Sequence, residues 1–203
     1  MTTPLRIVMS SRPTEVSREL VRGHLYLTVA LDADGTIVPV KSTDLEVLQL
    51  SADEAFDLAM ALLKRTTAVS DLRPVDTLPG LQFLVAGDGL AASRMVLLPE
   101  MFDPAPLGWV VIAVPGPDQL LCVPLDSARA LDALQVLASA LGHASNALEN
   151  PLSDQMFWYD GGRWIPVAVH HGDEDITVLP PAAFVRTMNH LAAMDMVSVA
   201  GEA

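Results

Sequence analysis

The chain reads as an α+β domain whose sheet is mainly antiparallel, and three observations predict this. Three segments have the form of β-hairpins closed by short turns, Tyr26 to Val40, Trp109 to Val123 and Phe157 to Val169. Helical segments stand between them without the regular strand–helix–strand alternation of a parallel fold. The middle hairpin, Trp109–Val114 and Gln119–Val123, is apolar at nearly every position, so both of its faces are expected to be covered and it should lie in the middle of the sheet.

The chain begins with a locally basic segment, residues 1–24, in which Arg6, Arg12, Arg18 and Arg22 outnumber Glu15 and Glu19. Thr14 is placed to cap a short helix from Glu15 to Arg22, with Val16, Leu20 and Val21 near one face. Docking on the acidic body of the protein is the expected role of that helix; contact with a partner and a cleaved targeting segment are the alternatives. In the first hairpin the turn is Ala33-Asp34-Gly35, and Lys41 to Asp44 starts a polar or helical link. Ser51 followed three residues later by Glu54 is a capping box, and Ala55, Phe56, Ala59, Leu62 and Leu63 continue at helical spacing, so a helix is expected over 52–66. Residues 67–80 carry two prolines and no period and read as a loop.

Leu81–Ala86 is a further strand, ending at Gly87-Asp88-Gly89, and Met95 to Leu98 is read as strand or short helix. The central hairpin turns at Pro115-Gly116-Pro117-Asp118. After it, Asp126 or Ser127 should cap a helix reaching Leu141, which Gly142 is placed to stop. The third hairpin turns at Asp160-Gly161-Gly162, an acidic turn follows at 172–175, and Ile176–Leu179 makes one more short strand. Pro180-Pro181 opens a last helix, Ala182 to Ala193, beyond which the chain is expected to fray. The expected organisation is the basic segment 1–24, one domain over 25–195 and a frayed end at 196–203; a division near 67–80 is the alternative.

A net charge of −13 argues against a nucleic-acid backbone or an anionic membrane as partner and suits a basic or neutral one, with solubility of an apolar protein as the plainer reading, and no apolar run is long enough to span a bilayer. Hydrophobic residues make up 51% of the chain and charged ones 18%, which implies either a large core or apolar surface buried against a partner or a second copy, and a homodimer is the expected form. The single cysteine, Cys122, lies in an apolar strand and reads as a buried small hydrophobe. A cytoplasmic location fits.

Several residues here resemble a known pattern. Ser51, Glu54, Leu58 and Ala59 on the first long helix, Gly87-Asp88-Gly89 with Ala92-Ser93, Val114-Pro115 with Asp118 and Leu120, and Pro151-Leu152-Ser153 resemble, over roughly residues 25–165, the YtpQ-like bacterial domain of unknown function. The resemblance implies a fold and a bacterial cytosolic setting, and no activity. It also implies an arginine at the central turn, where this chain has Pro117.

Candidate polar-site residues are Asp88 and Ser93, at a strand end beside two glycines, with Asp118 on the central turn. A carboxylate and a hydroxyl there suit a bound ligand, or turn-making and capping within the chain. Trp158, Tyr159 and Trp164 cluster on the third hairpin and suit either the core or a partner surface. His170, His171 and Asp173 form the densest ligand-type group, with a solvated turn as the plainer reading, since neighbouring strand residues point to opposite faces. No nucleophile elbow, Walker loop or dinucleotide fingerprint is present, and no cofactor is expected. The expected function is a non-catalytic acidic protein-binding module, of immunity type, chaperone-like or an assembly partner. The alternative is a small hydrolase-like or ligand-binding enzyme using Asp88, Ser93 and a histidine.

Overall fold

The computed structural model describes residues 4–102, 105–106, 108–172 and 175–201, with the side chains of 198–201 excepted. Its first sheet has four antiparallel strands, β1 (Leu5–Ser10), β2 (Ser17–Val21), β3 (Leu25–Ala33) and β4 (Thr36–Pro39). β3 is the centre: β1 runs along one side of it, while β2 and β4 share the other, pairing with its first and second halves. Asp34 and Gly35 both take positive φ, 52° and 86°, and this two-residue turn matches the twist of the strands it joins.

The helix expected over residues 15–22 is instead β2. Eight residues are too few to hold a helix on their own hydrogen bonds, and β3 offers this segment a backbone ladder, irregular between Glu19 and Val21. Thr14 makes a turn and caps no helix: its N–H donates to Ser17 Oγ at 3.0 Å, and that hydroxyl donates to Thr14 O at 2.8 Å. Two of the four arginines of residues 1–24 meet carboxylates of the body, both from strands. Arg6 pairs with Asp32 at 3.0 Å, and Arg18 pairs with Asp53 while its guanidinium lies 4.2 Å over the Phe56 ring.

Helix α1 (Ser42–Leu48) leads into α2 (Ala52–Arg65), which starts as the capping box requires. Ser51 Oγ accepts from the Glu54 N–H at 3.2 Å, and Glu54 Oε2 accepts from the Ser51 N–H at 2.8 Å. Replacing Ser51 with Ala is expected to cost about 1 kcal/mol in a urea titration. Ala55, Phe56, Ala59 and Leu63 turn inward and pack α2 onto β1 and β3.

The second sheet has seven strands: β5 (Leu72–Pro74), β6 (Gln82–Leu84), β7 (Val110–Ala113), β8 (Leu120–Pro124), β9 (Met156–Tyr159), β10 (Trp164–His171) and β11 (Ile176–Leu179). Their spatial order is β11-β10-β9-β7-β8-β6-β5, antiparallel throughout. β7, from the hairpin expected at the centre, is the fourth of seven. Val110 and Ile112 face a core shared with the first sheet, α2 and a 3₁₀ helix (Ala91–Leu97), while Val111 and Ala113 face a core shared with two helices. Those helices are α4 (Ala130–Ala147) and α5 (Ala182–Gly201); a single turn, α3 (Leu98–Met101), precedes β7. The result is an α+β fold in which the seven-stranded sheet is covered on both faces.

Three local expectations change and one, at residues 95–98, is settled as helix. The loop over 67–80 contains a 3₁₀ turn (Val69–Asp71) and β5, a three-residue edge strand too short to show a period, where Pro74 is tolerated. Residues 95–98 end the 3₁₀ helix and begin α3. Gly142 does not stop α4, which runs on to Ala147. A Cβ at Gly142 would lie 2.5 Å from the His171 ring, so the glycine provides room for that imidazole. α5 continues to Gly201 past the expected fraying point, and Asp195 Oδ2 accepts from the Ala128 N–H at 2.8 Å just ahead of α4. Among the described residues no helix is long and apolar enough to cross a membrane.

Candidate functional site

Asp88 and Ser93 are separate anchors in the fold. The tight Gly87-Asp88-Gly89 turn delivers the chain into the 3₁₀ helix, whose Arg94 is the largest fully buried side chain among the described residues. Arginine is almost never buried without a partner, and Asp88 is that partner. Its Oδ1 accepts from Arg94 Nη1 at 2.9 Å and its Oδ2 from Nη2 at 3.0 Å, a two-pronged charged pair. Nη1 also donates to Leu90 O, at 3.0 Å, and Nη2 to Thr66 O, at 3.4 Å; Nε has no partner among the described residues. Burial pushes the Asp88 carboxyl up, but the hydrogen bonds from Arg94 and Leu90 and the Arg94 charge outweigh it and hold the group below the usual carboxylate range.

Ser93 is 1% exposed, and its Oγ accepts from the Met9 N–H at 3.1 Å, tying β1 to the 3₁₀ helix. Neither Asp88 nor Ser93 has a histidine among its hydrogen-bond partners. Asp118 is exposed on the central turn; the neighbouring Pro117 carbonyl accepts from the Ala92 N–H at 3.0 Å. Cys122 is wholly buried, and burial pushes its thiol up to about 12, which leaves it protonated and unreactive.

On the third hairpin Trp158 belongs to the core. Its indole Nε1 donates to Gly108 O at 2.9 Å and its ring meets Phe184 edge-on. Trp164 is buried against Tyr159, which is half-buried and meets Trp109 edge-on with ring centres 5.2 Å apart. Trp109 was read only as a strand residue. It sits instead at φ 63°, a conformation rare for a bulky side chain, with its indole against Gly161 at the hairpin turn. The tryptophans of this hairpin thus hold the sheet's end together and offer little free surface.

His170 and His171 are exposed on β10, and the structure brings a different histidine to His171. His143 of α4 lines the same cleft, of about 290 Å³, together with Ser139, Asn146 and Asp175. Its Nδ1 lies 2.8 Å from Ser139 O and donates to it. Asp173, the third member of the group read from the sequence, lies outside the described residues. Among the described residues no three His, Cys, Asp or Glu side chains are placed to hold a metal ion.

The feature that sequence reasoning missed is an apolar slot of about 350 Å³ on the helical face of the seven-stranded sheet. Val111, Met156 and Val167 form its floor, from three adjacent strands. Leu134 of α4 and Val178 and Phe184 on the other side line it, and Leu131 and Ile176, 48% and 43% exposed, stand at the solvent boundary. Gln135 is its one polar lining residue. Its lining is drawn from β7, β9, β10, β11, α4 and α5, elements far apart in the chain, so no local pattern announces it. Compared with family models, with curated proteins and with solved structures, the chain finds no match in any of the three.

Proposed function

We propose that this chain is a non-catalytic protein-binding module of the bacterial cytosol, an immunity-type, chaperone-like or assembly partner. The observation that carries the reading is the open apolar slot flanked by exposed Leu131 and Ile176, with Leu179 and Val185 exposed nearby in the chain. A pocket of this size and lining suits one or two apolar anchor side chains, and such anchors carry much of the energy of protein interfaces. Asp88 and Ser93, the residues of the enzymatic alternative, already serve the fold through Arg94 and Met9. The −13 charge favours a neutral or basic contact on the partner.

The test is site-specific photo-crosslinking in the native host, with the reactive group at Leu131 and, as control, at the exposed Asp57 of α2. A defined protein adduct from Leu131 and none from Asp57 is expected. Leu131→Glu should weaken the association by at least about 1 kcal/mol, roughly fivefold. Equal labelling from both positions, or none from Leu131, would remove the slot as a protein contact.

A further inference from the structure

Helix α2 is apolar over more of its surface than the fold covers. A surface helix ordinarily turns one apolar stripe inward, and on α2 that stripe is Ala55, Phe56, Ala59 and Leu63. Leu58, Ala61 and Leu62 follow at spacings of three and four on an adjoining side, where Leu58 is 54% exposed. They line a groove of about 560 Å³ together with residues around the end of α1 and the start of β1, among them Leu48 and Leu5. Arg65 lies on the same side, seven residues beyond Leu58 and so about 10 Å further along the helix. It is the one charged residue of the lining, and none of the other lining side chains can form a hydrogen bond.

Among the described residues the Arg65 guanidinium has no ion-pair partner, whereas its neighbour Lys64 is held by Glu100 at 2.8 Å. Nor is Arg65 needed to cap α2, because Thr66 Oγ1 donates to Leu62 O at 3.0 Å and Thr67 Oγ1 donates to Leu63 O at 2.7 Å. The groove is therefore apolar along the helix and positive at one end.

We propose that this groove binds a fatty acid, with the acyl chain along Leu58, Ala61 and Leu62 and the carboxylate on Arg65. The site is separate from the slot on the seven-stranded sheet and does not depend on it. The distribution of polarity selects the occupant. A peptide brings an N–H and a C=O with nearly every residue, and apart from Arg65 the lining side chains offer these no partner. An acyl chain is polar at its end alone. One guanidinium matches the two oxygens of one carboxylate, whereas a phosphate headgroup carries more charge, and the adjacent cation Lys64 is already paired. The negative charge of the chain falls mostly elsewhere: residues 1–66 hold seven basic and nine acidic residues, and residues 67–203 hold five and sixteen. An anion arriving at α2 meets a nearly neutral part of the chain, and charges more than about 8 Å away are largely screened at physiological salt.

Isothermal titration calorimetry with dodecanoate, kept below its micelle concentration, tests this, with dodecanol as the uncharged probe of the same length. Dodecanoate should bind at one molecule per chain, and dodecanol at least about tenfold more weakly, because it makes no charge-assisted hydrogen bond to Arg65. Arg65→Gln should weaken dodecanoate by a similar factor and leave dodecanol unchanged. Leu58→Asp should abolish binding of both with the melting temperature unchanged, since Leu58 lies at the surface. Leu131→Glu, at the slot, should leave both unchanged. Absence of dodecanoate binding overturns the proposal. Equal affinity for the two probes, or dodecanoate binding that Arg65→Gln does not alter, also overturns it and shows general apolar adsorption. Binding lost in Leu131→Glu and kept in Leu58→Asp places the ligand in the slot and overturns the groove.

Discussion

Asp88→Ala is expected to destabilise the protein by about 3–5 kcal/mol, because it strips the counter-charge from a guanidinium that cannot reach water. Arg94 is 2% exposed and Asp88 22%, so the ion pair is screened on one side only. Losing the carboxylate also frees the Leu90 N–H, which donates to Asp88 Oδ1 at 3.1 Å. Urea unfolding followed by tryptophan fluorescence measures the loss. The double variant Asp88→Ala/Arg94→Met should be more stable than Asp88→Ala alone, since a long apolar chain fills the site without a charge to compensate. Unchanged stability in Asp88→Ala would show that the pair holds nothing together and would return Asp88 to the ligand-binding alternative.

The same pair sets a dependence on pH. The Asp88 carboxyl in the fold titrates below its unfolded value near 3.8, so between the two values the unfolded chain binds the extra proton. The contribution is therefore complete above pH 3.8 and is lost as pH falls through the lower folded value. The wild-type protein should show this loss on its acid limb, and Asp88→Ala/Arg94→Met should lack it.

Gly161→Ala is the second large effect, with an expected cost of about 2–5 kcal/mol, the sum of a left-handed backbone at a residue with a Cβ and of overpacking. Gly161 has φ 94°, and a Cβ there would lie 2.4 Å from Trp109 Nε1 and 2.9 Å from Cε2. The indole has no easy retreat, because Tyr159 meets it edge-on and its own backbone is already at positive φ. The Gly161→Ala/Trp109→Ala double variant should cost less than the sum of its two single changes, since the clash disappears while the backbone term remains. Strict additivity would show that Trp109 does not press on the turn. Near-ultraviolet circular dichroism should register displacement of the aromatic cluster in Gly161→Ala.

Where the structure follows from short stretches of chain, the reading from residues alone holds. The Ser51 and Glu54 box starts α2, Asp34-Gly35 closes the first hairpin, and the unbroken apolar run from Val110 predicts a strand covered on both faces. Each depends on groups within a few residues of one another. The candidate sites were less legible. Asp88 stood out as a polar turn residue, yet its role depends on Arg94, whose burial is decided by the elements packed around it. The one available hint was an arginine among small and apolar residues, six positions after an aspartate.

By itself, the sequence determined the class of fold, the central place of the Val110–Ala113 strand, the start of α2, and the burial of Cys122. These follow from side-chain period, turn chemistry and hydrophobicity, which act locally. Tertiary structure decided that residues 17–21 are a strand, that Gly142 makes room for His171, that Ser93 serves Met9 from 84 residues away, and that β11 is left at an edge. The physical reason is common to all four: backbone groups and cavities are satisfied by whatever the fold brings to them, and partners distant in sequence leave no periodic trace in the chain that needs them.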